Sequence, residues 1–269
     1  MFSVLMSLYY KESVTNLIEC FESLKAQTMK PNEIILVIDG PISEELEITV
    51  EGYVVELNIK VIRLKENVGL GMALNQGLKH CNYDIIARMD TDDICTSNRF
   101  ENQIYKFYED EELALLGSAI IEFDEGSNER YKILPRTQEE IKEYCLWKNP
   151  FNHMTVVFRK NKVNSVGGYE HHFFMEDYNL WVRMISKGLK LENSDEVLVR
   201  ARVGKDMLKK RRGIKYIHSE WKLFRLKYKL LNISLISASY IFLLRVISRL
   251  VPLTILKSIY DNDRKSTVK

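Results

Sequence analysis

Four apolar segments, each closing on a polar or acidic residue and each separated from the next by a helix-like stretch, constrain this chain more than any other feature. Residues 2–9 form the first, with Tyr10-Lys11-Glu12 as its exit. Ser13 stands at an N-cap position before Val14, Leu17, Ile18, Phe21 and Leu24, which recur at helical spacing until Pro31 stops the helix. Glu33–Ile38 is a second strand, ending at Asp39-Gly40-Pro41. A helical stretch near 43–57 leads to a third strand over 59–64. Asn67-Val68-Gly69-Leu70-Gly71 then opens a helix through Leu78, and a fourth strand from Ile85 runs into Asp90. This alternation with short loops predicts an α/β fold, a mostly parallel sheet flanked by helices with right-handed crossovers. In such sheets ligands bind beyond the carboxyl ends of the strands. Glu12, Asp39, Asn67 and Asp90 all fall there.

The fourth strand ends in Asp90-Thr91-Asp92-Asp93, three carboxylates within four residues. Like charges this close repel, so the cluster calls for a cation among them. Hard oxygen ligands suit Mg²⁺ or Mn²⁺ carrying a diphosphate. A plain Asp-rich turn or N-cap is the alternative, since Asp favours both positions; three acids at one parallel strand end argue against it. Asp39-Gly40 is open to the same alternative, and its strand-end position favours binding. Arg88, inside the strand, is placed to pair either with the acidic cluster or with phosphate.

The second half is less regular. Residues 97–110 read as a helix, 113–123 as a strand, and the polar stretch 124–130 as a surface loop. Tyr178, Trp181, Met184 and Ile185 have helical spacing and read as core. Glu176 and Asp177 then sit at that helix's N-terminus, where the dipole favours carboxylates and capping alone would also explain them. His153 and His218 are candidate third metal ligands, although a lone His is more often structural.

Charge is unevenly spread. Of 39 Lys/Arg and 37 Asp/Glu, residues 200–269 hold 18 basic and 4 acidic ones, leaving 21 basic against 33 acidic in residues 1–199. The basic end includes Lys209-Lys210-Arg211-Arg212, then Trp221, Phe224 and Tyr228. Residues 233–244 are mostly apolar, Arg245 and Arg249 interrupt, and Pro252 bends the chain beyond them. The run is too short to span a bilayer. Arginines four apart on one face, beside a polybasic helix, fit a helix lying in the membrane interface on an anionic surface; an ordinary packed helix is the alternative. Cys20, Cys81, Cys95 and Cys145 show neither CxxC nor finger spacing and read as reduced thiols. The opening residues read as a strand, not a signal peptide.

The ordered set Tyr10-x-Glu12, Val37-Ile38-Asp39-Gly40, Asn67-x-Gly69, Ala73-x-Asn75-x-Gly77, Arg88-Met89-Asp90-x-Asp92-Asp93, Gly167-Gly168-Tyr169 and Glu176-Asp177-Tyr178-x-Leu180-Trp181 resembles the family-2 glycosyltransferases. It looks most like small bacterial enzymes that build O-antigen or capsule repeat units. The resemblance covers residues 2–200 well and extends more weakly to Tyr260. It implies a GT-A fold over 1–200, with a nucleotide-binding half (1–96) and an acceptor half (97–200); the charge pattern adds a basic, membrane-associating helical region (201–269). It also implies inversion at the sugar's anomeric carbon. The family's uracil-contacting Asp falls on Asp39 and its nucleotide-pocket residue on Glu12, with Asn67 and Arg88 on the same nucleotide-sugar side. The DxD motif falls on Asp90 and Asp92. Asp92 is the expected direct ligand of Mn²⁺ or Mg²⁺, with Asp90 a second ligand, while Asp90 or Asp93 is left for the ribose. The catalytic base falls on Asp177, with Glu176 and His153 as acceptor-side or supporting residues. The family's usual Asp-Asp-Gly-Ser is Asp39-Gly40-Pro41-Ile42 here.

The implied reaction moves a hexose, glucose or galactose, from a UDP-sugar to a saccharide on a polyprenyl diphosphate. It would take place at the cytoplasmic face of the bacterial inner membrane. Other classes fit less well. A dinucleotide-binding dehydrogenase needs a third glycine where Leu74 stands. A DxD phosphatase would not carry Asp93-Ile94 after its second Asp. A sugar-phosphate nucleotidyltransferase, the nearest alternative, wants a Gly-rich basic loop after the first strand, and residues 8–12 have no glycine. A membrane adaptor leaves the acidic cluster unexplained. Nucleic acid is not an expected partner, because an acidic edge without a metal repels phosphates.

Overall fold

The computed structural model describes residues 1–124, 129–204 and 212–251. The expected features at Lys209, Lys210, Arg211, Pro252 and beyond lie outside the described residues. The first half keeps to the alternation: β1 (Ser3–Leu8), α1 (Val14–Lys25), β2 (Glu33–Ile38), α2 (Glu44–Val54), β3 (Ile59–Arg63), α3 (Leu70–His80) and β4 (Ile85–Arg88). The second half adds β5 (Ile94–Cys95), α4 (Arg99–Glu109), β6 (Leu113–Phe123), β7 (Glu129–Lys132) and α5 (Gln138–Trp147). After a 3-10 turn at His153–Thr155 come β8 (Val157–Arg159), α6 (Lys160–Ser165), α7 (Glu176–Ser186) and β9 (Lys190–Arg202). Two helices close the described chain, α8 (Ile214–Leu230) and α9 (Leu235–Leu250).

All described strands join one sheet in the order β3-β2-β1-β4-β8-β6-β9-β5, with β7 paired to β6. The β1–β2, β1–β4, β2–β3 and β6–β9 pairs are parallel; β4–β8, β6–β8, β5–β9 and β6–β7 are antiparallel. Because β8 runs against both β4 and β6, those two share a direction, so β1 to β4, β6 and β9 all run the same way. The sheet is mostly parallel, as the alternation predicts.

Strand pleating divides the core. Val4, Met6 and Leu8 point to the face covered by Leu17, Phe21, Phe100 and Ile104, whereas Leu5, Ile35 and Ile86 meet Leu74, Leu78, Phe158 and Trp181 on the other. Burial on both faces is why β1 and β2 read as unbroken apolar runs. Gly77 lets α3 lie against the sheet: a Cβ there would come within 2.4 Å of Leu5 Cδ1 and 2.8 Å of Val37 Cγ2.

Several local expectations change. Ser13 occupies the N-cap of α1 but its side chain makes no capping bond; its backbone N–H donates to the adjacent Glu12 carboxylate at 2.8 Å. Ile18, expected on the buried stripe, is 38% exposed, and Cys20 completes that stripe instead. The polar stretch after Phe123 is not loop throughout, since β7 begins at Glu129 and pairs with β6. Arg245 and Arg249 do not end the last helix. They turn inward onto the buried Glu220, Arg245 with Nε at 2.6 Å and Nη2 at 3.0 Å, and Arg249 with Nη2 at 3.0 Å. They are therefore ion-pair partners inside the fold and not a charged outer face.

Candidate active site

The carboxyl ends of β1, β2 and β4 open on one cavity of about 410 Å³. Glu12, Asp39, Asn67, Asp90 and Asp92 line it from the first half. Glu170, His171, His172, Phe173, Phe174 and Glu176 line it from the segment entering α7. The strand-end residues read from sequence are thus brought together.

Asp39 is buried where β2 ends, and its carboxylate accepts from Val68 N–H at 2.7 Å and Gly69 N–H at 3.1 Å. Burial raises its pKa, and those two N–H groups work against the rise. Asn67 Nδ2 donates to the Asp39 carbonyl at 3.1 Å. Gly40 makes this clasp possible: it has φ +86°, and a Cβ would sit 2.7 Å from Asn67 N. The departure from Asp-Asp-Gly-Ser therefore keeps a glycine where the loop needs one. Glu12 reaches across to the β4 loop, accepting from Thr91 Oγ1 at 2.8 Å.

Asp90, Asp92 and Asp93 each offer an oxygen, and these oxygens lie within 4.8 Å of one another. Burial, then Asp90 and Glu12, pushes the Asp92 carboxyl up to about 7. Asp93 is raised well above the carboxylate range by burial, then by Asp90 and Asp92. It does not line the cavity. Its Oδ1 accepts from Arg202 N–H at 2.8 Å, and its buried Oδ2 has no hydrogen-bond partner among the described residues. Three converging hard oxygens with an orphaned one among them fit a divalent cation such as Mg²⁺ or Mn²⁺.

Cation binding at this cluster is expected to depend on pH. A carboxyl whose folded pKa exceeds its unfolded value of about 4 stabilises the metal-free fold at low pH, and that contribution fades as pH rises toward the folded value. Cation binding must displace the same proton. Mn²⁺ affinity measured by calorimetry should therefore rise about tenfold per pH unit up to near the Asp92 value and level off above it. A flat profile between mildly acidic and neutral pH would mean that Asp92 is not a ligand.

Arg88 and His153 are placed behind the cavity wall. Arg88 is 1% exposed and pairs with Asp90, so of its two readings the structure shows contact with the acidic cluster. His153 Nε2 lies 2.9 Å from Tyr169 Oη. Burial, then the Arg88 charge, lowers its pKa well below the usual imidazole range. Neither His153 nor the exposed His218 belongs to the carboxylate cluster.

The α7 end carries the other carboxylates. Glu176 lines the cavity, and burial, then Asp177, pushes it up to about 7. Asp177 Oδ2 accepts from Asn149 Nδ2 at 2.6 Å, and Oδ1 from Tyr178 N–H at 2.7 Å. Gly71 admits this end of α7, since a Cβ there would lie 3.0 Å from Glu176 Cβ. Asn75 holds the Gly167-Gly168-Tyr169 turn, accepting from Tyr169 N–H at 2.9 Å and donating to its carbonyl at 2.6 Å. Asn75 and Gly77 are thus supports of the site.

Sequence reading missed Asn149, His172, Arg202 and Lys227. Buried His172 contacts Ser219 O at 2.8 Å through Nε2. Lys227 donates to Tyr178 Oη at 2.6 Å and Leu146 O at 3.0 Å. Each partner is distant in sequence, and no local pattern signals it.

Residues 3–173 match the model of Glycosyl transferase family 2. The amylovoran biosynthesis glycosyltransferase AmsE of Erwinia amylovora is 49% identical over 98% of this chain and 100% of its own length. An Escherichia coli UDP-Gal:alpha-D-GlcNAc-diphosphoundecaprenol beta-1,3-galactosyltransferase is 38% identical, over 82% of this chain and 81% of its own. Among solved structures, S. aureus TarS 1-349 in complex with UDP-GlcNAc aligns with a TM-score of 0.69 at 18% identity, covering 94% of this chain and 76% of that one. That likeness is one of fold.

Proposed function

The chain belongs to glycosyl transferase family 2, and from that premise we propose that it transfers a hexose from a UDP-sugar to a saccharide on a polyprenyl diphosphate, in the assembly of a surface polysaccharide. The observation that carries this reading is the convergence of Glu12, Asp39, Asn67, Asp90 and Asp92 with Glu176 around one cavity. The E. coli relative named for a GlcNAc-diphosphoundecaprenol acceptor and a UDP-Gal donor supports the substrate classes. We take galactose or glucose as the sugar.

Asp39 and Asn67 hold the loop that faces the nucleoside, with Glu12 beside it, and Asp90 is left for the ribose, since Asp93 stands outside the cavity. Arg88 keeps Asp90 in place from behind. Asp92, with Asp90, would hold a divalent cation, which supplies neutralisation of the charge that grows on the diphosphate as it departs. Transfer proceeds in one step with inversion. The acceptor hydroxyl oxygen bonds to the anomeric carbon as the bond from that carbon to the β-phosphate oxygen breaks, and UDP leaves with the electron pair. The hydroxyl proton passes to Asp177, which Asn149 orients. Glu176 faces the acceptor. No covalent sugar–enzyme bond is needed. Work at a lipid-linked acceptor places the protein peripherally on the membrane; among the described residues no helix is long and apolar enough to cross one.

The test is UDP release from a panel of UDP-sugars, with Mn²⁺ and with EDTA. Release or acceptor-dependent transfer from one UDP-hexose, lost in EDTA, is the expected result. Pyrophosphate-dependent formation of UTP would instead identify a nucleotidyltransferase.

A further inference from the structure

The outer faces of α8 and α9 are built unlike the rest of the surface. On α9, Ile236, Tyr240, Leu243, Leu244, Ile247 and Leu250 are between 43% and 84% exposed. Their spacing of four, three, one, three and three residues puts them on one helical face. On α8, Lys215, Lys222, Arg225 and Lys229 are exposed at spacings of seven, three and four, again one face. Trp221 and Phe242 join the two helices, with ring centroids 5.5 Å apart. Glu220 is the one acidic residue between positions 212 and 251. It is 1% exposed and spent on Arg245 and Arg249. The pair therefore presents an apolar stripe on α9 and a cationic one on α8, with no exposed carboxylate on either helix.

We propose that this two-helix face docks on an anionic phospholipid bilayer, with the α9 stripe in the acyl boundary and the α8 cations at the headgroup phosphates. An apolar patch of this kind on a soluble surface marks an interaction site. The α8 cations select a negatively charged partner, and neither helix exposes a charge that would repel it. The inward turn of Arg245 and Arg249 is what leaves the α9 face free of charge. The proposal deepens the lipid-linked acceptor reading above, because α8 also backs the acceptor wall of the cavity. His172 is tied to Ser219, Phe174 stacks on Tyr216 at 5.9 Å, and Lys227 holds Tyr178, the residue after Asp177.

The experiment is co-sedimentation of the full chain with phosphatidylethanolamine–phosphatidylglycerol vesicles and with phosphatidylcholine vesicles. UDP binding is measured in parallel on every variant. The wild type should bind the anionic vesicles, less so as salt rises. Ile236→Asp with Leu243→Asp should weaken that binding at least about tenfold, and Lys222→Glu with Arg225→Glu should do so to a similar degree. UDP binding should stay unchanged in both. Variants that sediment like the wild type would overturn the proposal, placing lipid binding elsewhere in the basic chain. So would a wild type that ignores vesicles but forms a dimer that Ile236→Asp with Leu243→Asp dissociates, which would make a second copy the occupant. Loss of UDP binding by the wild type would sink the transferase reading and leave the docking result standing.

Discussion

Asp177→Asn lowers acceptor-dependent sugar transfer by about a hundredfold to ten-thousandfold, the range a positioned general base contributes, while UDP binding and melting temperature stay close to wild type. The substitution keeps the shape of the side chain. It also keeps an oxygen to accept from Asn149 Nδ2, the contact made at 2.6 Å in the wild type, so what is lost is the capacity to take the acceptor proton. Single-turnover transfer, with UDP titration as the control, makes the measurement. Glu176→Gln provides the comparison. Glu176 lines the cavity and is pushed up to about 7, a value well suited to a base near neutral pH. With Asp177 as the base, Glu176→Gln costs about tenfold or less and acts mainly through acceptor KM. The opposite ranking of the two variants would move the proton to Glu176.

Asp92→Ala abolishes tight Mn²⁺ binding and lowers transfer by at least about a hundredfold, because neither the cation nor the charge balance at the diphosphate survives. Its effect on stability runs the other way. The folded protein buries Asp92, beside Asp90 and Glu12, and so raises its carboxyl to about 7. Above that pH the ionised group is less favourable folded than unfolded. Metal-free Asp92→Ala should therefore melt no lower than metal-free wild type at mildly alkaline pH, and the wild type alone should gain melting temperature when Mn²⁺ is added. A variant that still gains it would show that Asp90 and Asp93 suffice for the cation.

The first half of this site was legible because its chemistry sits at the ends of strands, and those strands are marked by unbroken apolar runs. Glu12, Asp39, Asn67 and Asp90 could be placed at one edge from β1 to β4 alone. The second half lacks such markers. β8 is three residues long and enters antiparallel between β4 and β6. β9 carries Glu192, Asn193, Asp195, Glu196 and Arg200 among its apolar residues, so its 13 residues show no clean alternation. Arg88 could be read as a partner of either the acidic cluster or a phosphate, because charge inside a strand is unusual and spacing alone does not choose. Its partner, Asp90, stands two residues away on the inner side. Arg245 and Arg249 read as the charged face of a helix in the membrane interface because nothing local reveals Glu220 one helix earlier. Asn149 reaches Asp177 across 28 residues and Lys227 reaches Tyr178 across 49. Such contacts are decided by packing and leave no trace in spacing.

Gly71 meeting Glu176, and Asn75 gripping the Gly168-Tyr169 turn, are part of the seam at which the first four strand-and-helix units meet the rest of the chain. For protein engineering this seam is the joint along which the enzyme can be recombined. A chimera that takes its second half from another member of the family inherits that member's acceptor wall. It assembles only where the incoming turn carries a glycine for Asn75 to close upon. The exchange must also preserve the β4–β8 and β5–β9 strand pairings that cross the same joint.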